Sequence, residues 1–420
     1  MEPARPCNVV IVNTSDAGGG AEQIAMTLLD GFEQLGTNAR LVVGRKRTTD
    51  PRVIPLHASP HVHYVRDHPL RRARRTARRR LDERLGLEPF GNPYTRLLPE
   101  ISGLQPDLLL CNNLHGGGYF DLRELTRLSL KMPIVLNLAD SWPFTGHCAV
   151  PGACDRWRRG CGSCPDLEAP PAIARDATRL NWQRKRWIFG RTRLNVVAPS
   201  RWLLDRARES SLAPAIVADR VIPNGLDLTV FDPSGPRASR PEAGTSRLVF
   251  AAGGGAANPH KDFATLRSAL LRLPGPVELI SIGGEDRIET VGDGIRIDHR
   301  SQQSPTELAA LLRSADAYVH AAPEESFCLT AAEALACGTP VVAACSGGIT
   351  EVVDNGRTGF LLPPGDGTGL ATALRGLLTD RGLQREMSDR AAAAGSRFDR
   401  DRMVRDMHEF CREAIEEWER

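Results

Sequence analysis

A strand-length apolar run, a glycine loop and a helical pattern open this chain in succession, and the same order restarts halfway along it. Val9 to Val12 is the first run, Gly18-Gly19-Gly20 the loop, Ala21 to Leu35 the helical pattern and Arg40 to Val43 the next strand. Strands alternating with helices pair in parallel, so the pattern predicts a doubly wound α/β sheet. Leu108 to Cys111, Ile134 to Leu138 and Asn195 to Ala198 continue it. After Val221-Ile-Pro-Asn-Gly225 new strands fall at Leu248 to Ala252, Glu278 to Ile282, Ala317 to His320 and Val341 to Ala344. Helical patterns between and after them cover Phe263 to Leu271, Pro305 to Ser314, Thr330 to Cys337 and Gly369 to Leu378. A chain of 420 residues exceeds one ordinary core. The expected division is residues 1–214, residues 215–397 and a terminal helix over 398–420. In that helix Met403, Val404, Met407, Phe410, Cys411 and Ile415 form one apolar face.

Bulk properties exclude several classes. Lys and Arg total 54 against 51 for Asp and Glu, and a net charge of +3 does not argue for a nucleic-acid partner. Met1 to Cys7 lacks a long apolar core and no stretch of 18 apolar residues occurs, so a cytoplasmic location is expected. Ten cysteines in this length do not make a secreted disulfide scaffold. Four of them cluster. Cys148, Cys154, Cys161 and Cys164 end in Cys-Gly-Ser-Cys-Pro, a knuckle-like spacing that suits a tetrahedral structural zinc. Reduced thiols in a loop, or a redox pair at Cys161 and Cys164, are the other readings.

Arg71 to Arg80 carries concentrated positive charge opposite a stripe of Ala73, Ala77, Leu81 and Leu85. Such a helix suits anionic lipid headgroups or a lipid-diphosphate acceptor on a membrane surface. A solvated basic helix is the plainer reading.

The densest chemical signal lies at residues 321–349. Glu325 precedes an Ala-rich helical pattern and Glu333 lies inside it, with seven residues between them. A helix N-terminus with its unpaired N–H groups falls between the two acids and attracts phosphate. Carboxylates accept from paired sugar hydroxyls. A diphosphate flanked by two polyols, as in a sugar nucleotide, fits both features. Glu325 to Glu333, with Phe327, Leu329, Ala334, Gly338, Pro340 and Gly347-Gly348, resembles the E-x7-E signature of family 4 retaining glycosyltransferases. Asp140-Ser-Trp-Pro-Phe-Thr-Gly-His-Cys148 through Cys161-Gly-Ser-Cys-Pro165, with Asn113-Leu-His-Gly116, resembles the branch of that family acting in colanic acid, capsule and exopolysaccharide assembly.

The resemblance implies the GT-B architecture: two Rossmann-like domains, the last helix crossing back to the first. It implies transfer of a sugar from a nucleotide-sugar donor to an acceptor hydroxyl, such as a lipid-linked saccharide, with retention and without a catalytic metal. Glu325 would hold donor-sugar hydroxyls, Glu333 the ribose and Lys261 the diphosphate. Asp140 would orient a substrate hydroxyl. Gly19 and Gly20 match the family's G-G-A-E loop and Asn224 its N-G-x-D turn; Gly283, Phe327, Cys328 and Leu329 belong to the nucleotide surroundings. The chain departs from the family at Gly255, where an Arg is usual, at Asp262 and Cys328, where Gly is usual, and at Ala139, where His is usual. His115 or His147 would then supply the missing imidazole. These departures also fit a sugar-nucleotide-binding partner without catalysis. A sugar-nucleotide epimerase or a phosphorylase is a further GT-B alternative.

Overall fold

The computed structural model describes residues 7–57, 69–240 and 242–420. The reading of the first residues therefore lies, apart from Cys7, outside the described residues. Two compact units divide the chain: Met1–Pro223 with Met403–Arg420, and Asn224–Arg402.

The first unit holds β1 (Asn8–Ser15), β2 (Asn38–Arg45), β3 (Val53–Pro55), β4 (Leu108–Cys111), β5 (Ile134–Asn137), β6 (Leu194–Ala198) and β7 (Ile216–Val221) in the order β3-β2-β1-β4-β5-β6-β7. All its pairings are parallel. Val10, Val12, Leu109, Leu136 and Val196 are buried because helices cover both faces of a parallel sheet. Pairing of β7 with β6 carries this unit past residue 214 to Pro223. The final helix, Arg400–Glu419, buries Met403, Val404, Met407, Phe410, Cys411 and Ala414. Ala414 takes the inward position that the sequence reading gave to Ile415. Val404 sits on Gly31, where a Cβ would come within 2.4 Å, and His408 Nε2 lies 2.8 Å from Thr37 Oγ1. Phe398 stays with the second unit, where its carbonyl accepts from Leu226 N–H at 2.7 Å.

The second unit holds β8 (Ser246–Ala251), β9 (Val277–Ile282), β10 (Arg287–Val291), β11 (Ile295–Arg300), β12 (Ala317–His320), β13 (Val341–Ala344) and β14 (Gly359–Leu362), ordered β10-β11-β9-β8-β12-β13-β14. Its pairings are parallel except at the edge, where β10 runs antiparallel to β11. That hairpin is a correction to an all-parallel reading. An edge strand is solvated, so β10 shows little apolar periodicity, and Ile288 is 61% exposed.

Both sheets reverse their strand order at one place. In the first unit this is between β1 and β4, and in the second between β8 and β12. Loops leaving the carboxyl ends of two such strands diverge and open a crevice, the usual ligand position in doubly wound folds.

Candidate functional site

In the second unit the loops after β8 and β12 supply the charged groups. The β8 loop ends in a 3-10 turn, Pro259–Lys261, started by Asn258, whose side chain accepts from His260 N–H at 3.0 Å. Asp262 follows at φ 44, ψ 51, in the left-handed region, and its carboxylate accepts from Thr265 N–H at 3.2 Å to start the helix Phe263–Leu270. Left-handed backbone explains a glycine preference here. Asp is tolerated because it caps the helix. Cys328 stands at φ 73 at the start of the helix Leu329–Ala336, so the second departure from glycine also meets a left-handed position.

Lys261 donates through Nζ to Glu325 Oε1, and His320 Nε2 lies 2.8 Å from the same oxygen. Glu325 Oε2 has no hydrogen-bond partner among the described residues. Burial pushes the Glu325 carboxyl up, but Lys261 and His320 overcome it and hold it at about 2. Burial lowers His320, yet Cys328 and Glu325 raise it to about 9. Lys261 is likewise raised: Glu325 and Cys328 outweigh its burial. The ligand atoms of His320, Glu325 and Cys328 lie within 4.8 Å of one another. An imidazole held near 9 keeps its proton at neutral pH, so the trio is an ion-pair cluster more than a set of metal ligands.

Backbone contacts hold Glu325 in place. Gly348 N–H donates to the Glu325 carbonyl at 2.6 Å, and Ser346 Oγ to the Ala322 carbonyl at 3.0 Å. A Cβ on Gly347, at φ 69, would lie 2.1 Å from that Glu325 carbonyl. Gly255 answers another departure. At φ 57 its Cβ would meet Gly284 N at 2.7 Å, and a Cβ on Gly283 would meet the Ala252 carbonyl at 2.0 Å. This backbone-to-backbone knot has no room for an arginine side chain at residue 255, and it gives Gly283 a structural reason of its own.

Glu333 is 5% exposed within its helix, and burial raises it to about 7, offset only in part by Thr330. Phe327 is a core residue, edge-to-face with Phe398 at 5.5 Å, and Leu329 packs against the same core. Asn224 is a partly exposed residue at the first turn of the unit.

The first unit meets its own crevice with an amide ladder and a His–Asp pair. Asn137 Nδ2 donates to Asn112 Oδ1 at 2.7 Å, and Asn112 Nδ2 to Asn13 Oδ1 at 3.1 Å, a buried ladder across β5, β4 and β1. Gly19 N–H is taken by Glu22 Oε2 at 2.9 Å, so the glycine loop is partly satisfied from within. Asp140 meets His115, whose Nε2 lies 2.8 Å from Oδ2, and Asp140 Oδ1 accepts from Trp142 N–H at 2.8 Å. Burial lowers His115, but Asp140 outweighs it and the imidazole is raised. His115 lines a cavity of about 340 Å³ with Glu88, Phe90 and Trp142. His147 is 1% exposed, and its Nδ1 lies 3.0 Å from the Pro171 carbonyl. Of the two histidines named for the missing imidazole, His115 is the one paired with Asp140 at the wall of the cavity of about 340 Å³, whereas His147 faces the cysteines.

Behind that wall Lys185 is fully buried and ion-paired with Glu88 at 2.9 Å. Its Nζ also donates to the carbonyls of Trp142 at 2.8 Å and Thr145 at 3.2 Å, while Glu88 accepts from Trp142 Nε1. This pair escaped the sequence reading, as did His320. Lys185 could have been found from its place on the buried stripe Thr178, Asn181, Trp182, Lys185, Ile188 of the helix Thr178–Phe189.

Cys148, Cys154, Cys161 and Cys164 line one cavity of about 20 Å³ together with His147. His147 Nε2 lies 3.5 Å from Cys164 Sγ. Cys161 at φ 39 and Ser163 at φ 48 both hold left-handed backbone in the Cys-Gly-Ser-Cys turn.

The fold and these two crevices define the GT-B class. The structure resembles a sucrose-phosphate synthase from Thermosynechococcus elongatus with TM-score 0.65 at 19% identity, covering 97% of this chain and 98% of that one. It resembles Anabaena HepE in complex with UDP-glucose with TM-score 0.60 at 17% identity, covering 96% and 98%. Residues 255–394, in the second unit, match the family model of glycosyl transferases group 1. A D-inositol 3-phosphate glycosyltransferase of Paenarthrobacter aurescens is 33% identical over 222 residues, 46% of this chain and 52% of the relative. Its counterpart in Mycobacterium bovis (strain BCG / Pasteur 1173P2) is 37% identical over 157 residues, 34% of this chain and 32% of the relative. The chain thus spans about half, or less, of the length of these curated relatives.

Proposed function

We propose that this chain is a family 4 glycosyltransferase that moves a sugar from a nucleotide-sugar donor to an acceptor hydroxyl with retention, in polysaccharide or glycoconjugate biosynthesis. The observation that carries the proposal is the Lys261–Glu325–His320 cluster at the strand reversal of the second unit, with the buried Glu333 in the helix that follows. Two cations share one carboxylate oxygen there, which leaves a surplus of positive charge for a diphosphate. As the sugar–phosphate bond lengthens, negative charge grows on the leaving diphosphate, and Lys261 and the N–H groups at Leu329 and Thr330 stabilise it. The free Oε2 of Glu325 accepts from sugar hydroxyls, and Glu333 accepts from the ribose. HepE, with UDP-glucose bound, supports a nucleotide sugar as the donor class. His115 and Asp140 serve the acceptor side. Gly19, Gly20 and Asn224 belong to the donor surroundings. The exopolysaccharide branch is proposed on the Cys148–Cys164 region.

The test is binding of a panel of UDP-, GDP- and dTDP-sugars, followed by a crystal soak with the tightest. Density for the diphosphate between Lys261 and residues 325–333 is expected; density elsewhere overturns the assignment. Nucleotide binding with no nucleoside diphosphate released against any acceptor extract would instead favour the non-catalytic partner.

The four cysteines fit a structural zinc in kind. Four cysteines and one histidine line that small cavity, although among the described residues their ligand atoms do not come within 4.8 Å of one another in any group of three. A carbonyl on Nδ1 leaves Nε2 of His147 turned toward Cys164, the usual orientation of a histidine beside zinc. Two non-glycine left-handed residues cost about 1–2 kcal/mol each and persist only where the surroundings impose them. When bound, zinc would tie the loop down and take no part in transfer. Elemental analysis of protein purified without added zinc should find close to one equivalent, and a chelator should lower Tm. A value near zero with four titratable thiols discards the zinc.

The basic helix Pro69–Arg84 supports peripheral attachment to an anionic membrane face, since Leu81 is 52% exposed among its arginines. No described helix is long and apolar enough to cross a membrane.

A further inference from the structure

A second cavity of about 670 Å³ adjoins the one beside His115 in the first unit, and the two share Arg79, Leu87, Pro89, Phe90 and Gly118. Its positive charge comes from three separate segments and outweighs the carboxylate of Asp82, which also lines it. Arg75, Arg78 and Arg79 project from the helix Pro69–Arg84, Arg123 follows Asp121, and Arg184 comes from the helix Thr178–Phe189.

Three of these guanidiniums are balanced. Arg78 meets Asp82 at 3.2 Å, Arg79 meets Glu83 at 2.8 Å and Arg123 meets Asp121 at 2.8 Å. Arg184 is not. It lies over the Phe90 ring at 4.3 Å and donates only to the Glu88 carbonyl at 2.9 Å and Asn181 Oδ1 at 3.3 Å. No carboxylate pairs with it among the described residues. Burial shifts it down, with Glu88, Asp82 and Asp121 opposing from beyond ion-pair distance, so its charge is poorly solvated and no carboxylate meets it directly. A half-buried guanidinium with no carboxylate, facing a basic cavity, is a receptor for an oxyanion, because its planar fork matches phosphate oxygens.

We infer that this cavity binds the phosphate or diphosphate of the acceptor, while the acceptor's hydroxyl end occupies the adjoining cavity beside His115. This rests on the transferase reading, and it adds that the acceptor is an anion. The phosphate can belong to a lipid-linked saccharide or to a free sugar phosphate, and the shared chemistry is the same.

The test uses full-length protein carrying Lys261→Ala, so that pyrophosphate does not report on the donor site. Inorganic pyrophosphate binding, followed by phosphorus NMR or calorimetry, should weaken at least tenfold on Arg184→Gln and severalfold on Arg123→Gln, and should fall with added salt. Arg78→Gln, at a 75% exposed side chain, gives a variant whose folding is not in question and should weaken binding severalfold. Unchanged affinity in all three overturns the inference. Farnesyl diphosphate binding much tighter than pyrophosphate supports the site and assigns it to lipid-linked acceptors; equal affinity supports it for free phosphates. Sugar-nucleotide binding to the otherwise wild-type Arg variants separates the two readings. If the donor fails to bind at Lys261 and Glu325 while pyrophosphate still depends on Arg184, the transferase reading falls and the anion site stands.

Discussion

Two buried lysine–glutamate pairs, one in each unit, are built to opposite ends. Lys185 spends its hydrogen bonds on Glu88 and two carbonyls, and Glu88 also takes an indole N–H. Among the described residues Lys261 Nζ bonds only to Glu325, and His320 leans on the same oxygen. The first pair is closed by charge, one ammonium to one carboxylate, although Glu88 Oε2 meets Lys185 as an ion pair and accepts no hydrogen bond. The second is open, with more cation than anion and one carboxylate oxygen free. Charge matched one to one in the interior marks architecture, whereas an unspent surplus beside a strand reversal marks a place where a ligand completes the pairing.

Removing one partner of the closed pair should have the largest effect. Lys185→Met strands a buried carboxylate and should cost about 3–5 kcal/mol of stability, read by urea denaturation. Adding Glu88→Gln should recover much of that loss. If the single variant is as stable as wild type, the closed pair is not architectural and the contrast fails.

Glu325→Gln removes the anion of the open cluster and should lower kcat/KM by about 10²–10³. His320 should then lose the part of its elevation that Glu325 supplies, Cys328 supplying the rest, visible as a lower imidazole pKa by NMR. Full activity would remove Glu325 from the mechanism.

How much of this was legible in the sequence follows from how far apart the partners lie. Strand and helix periodicity is local, and Ala317–His320, Val341–Ala344 and Pro305–Ser314 stand where the periodicity placed them. The Glu325–Glu333 run is also local. His320 carried no signal beyond ending a strand five residues before Glu325. The Lys185–Glu88 pair joins residues 97 apart and exists only once the sheet has formed. The glycine departures could be named from the sequence, but their cause, left-handed backbone at Asp262 and Cys328 and a backbone knot at Gly255, is conformational.

The smallest expected effect concerns pH, and it sharpens the contrast within the open site. Glu333 is raised from its ordinary 4.5 to about 7. A raised carboxyl favours the protonated folded state, so the free protein should lose stability as pH climbs from 4.5 to 7, by about 1–3 kcal/mol. His320, raised to about 9, adds stability below its ordinary 6.5 that is lost as pH climbs to 9. Glu325, held at about 2, acts oppositely: its contribution is present above 4.5 and disappears as pH falls toward 2. Thermal melts of Glu333→Gln should lose the slope between pH 4.5 and 7 only. An unchanged slope would show that Glu333 is ionised in the free protein.

Gly347 leaves no volume for a methyl group against the Glu325 carbonyl. A substitution there would move the backbone that carries the acid. In a survey of natural variants or a saturation scan, Gly347 should therefore score with the active-site residues, and a loss at that position would report a displaced neighbour and not a lost contact.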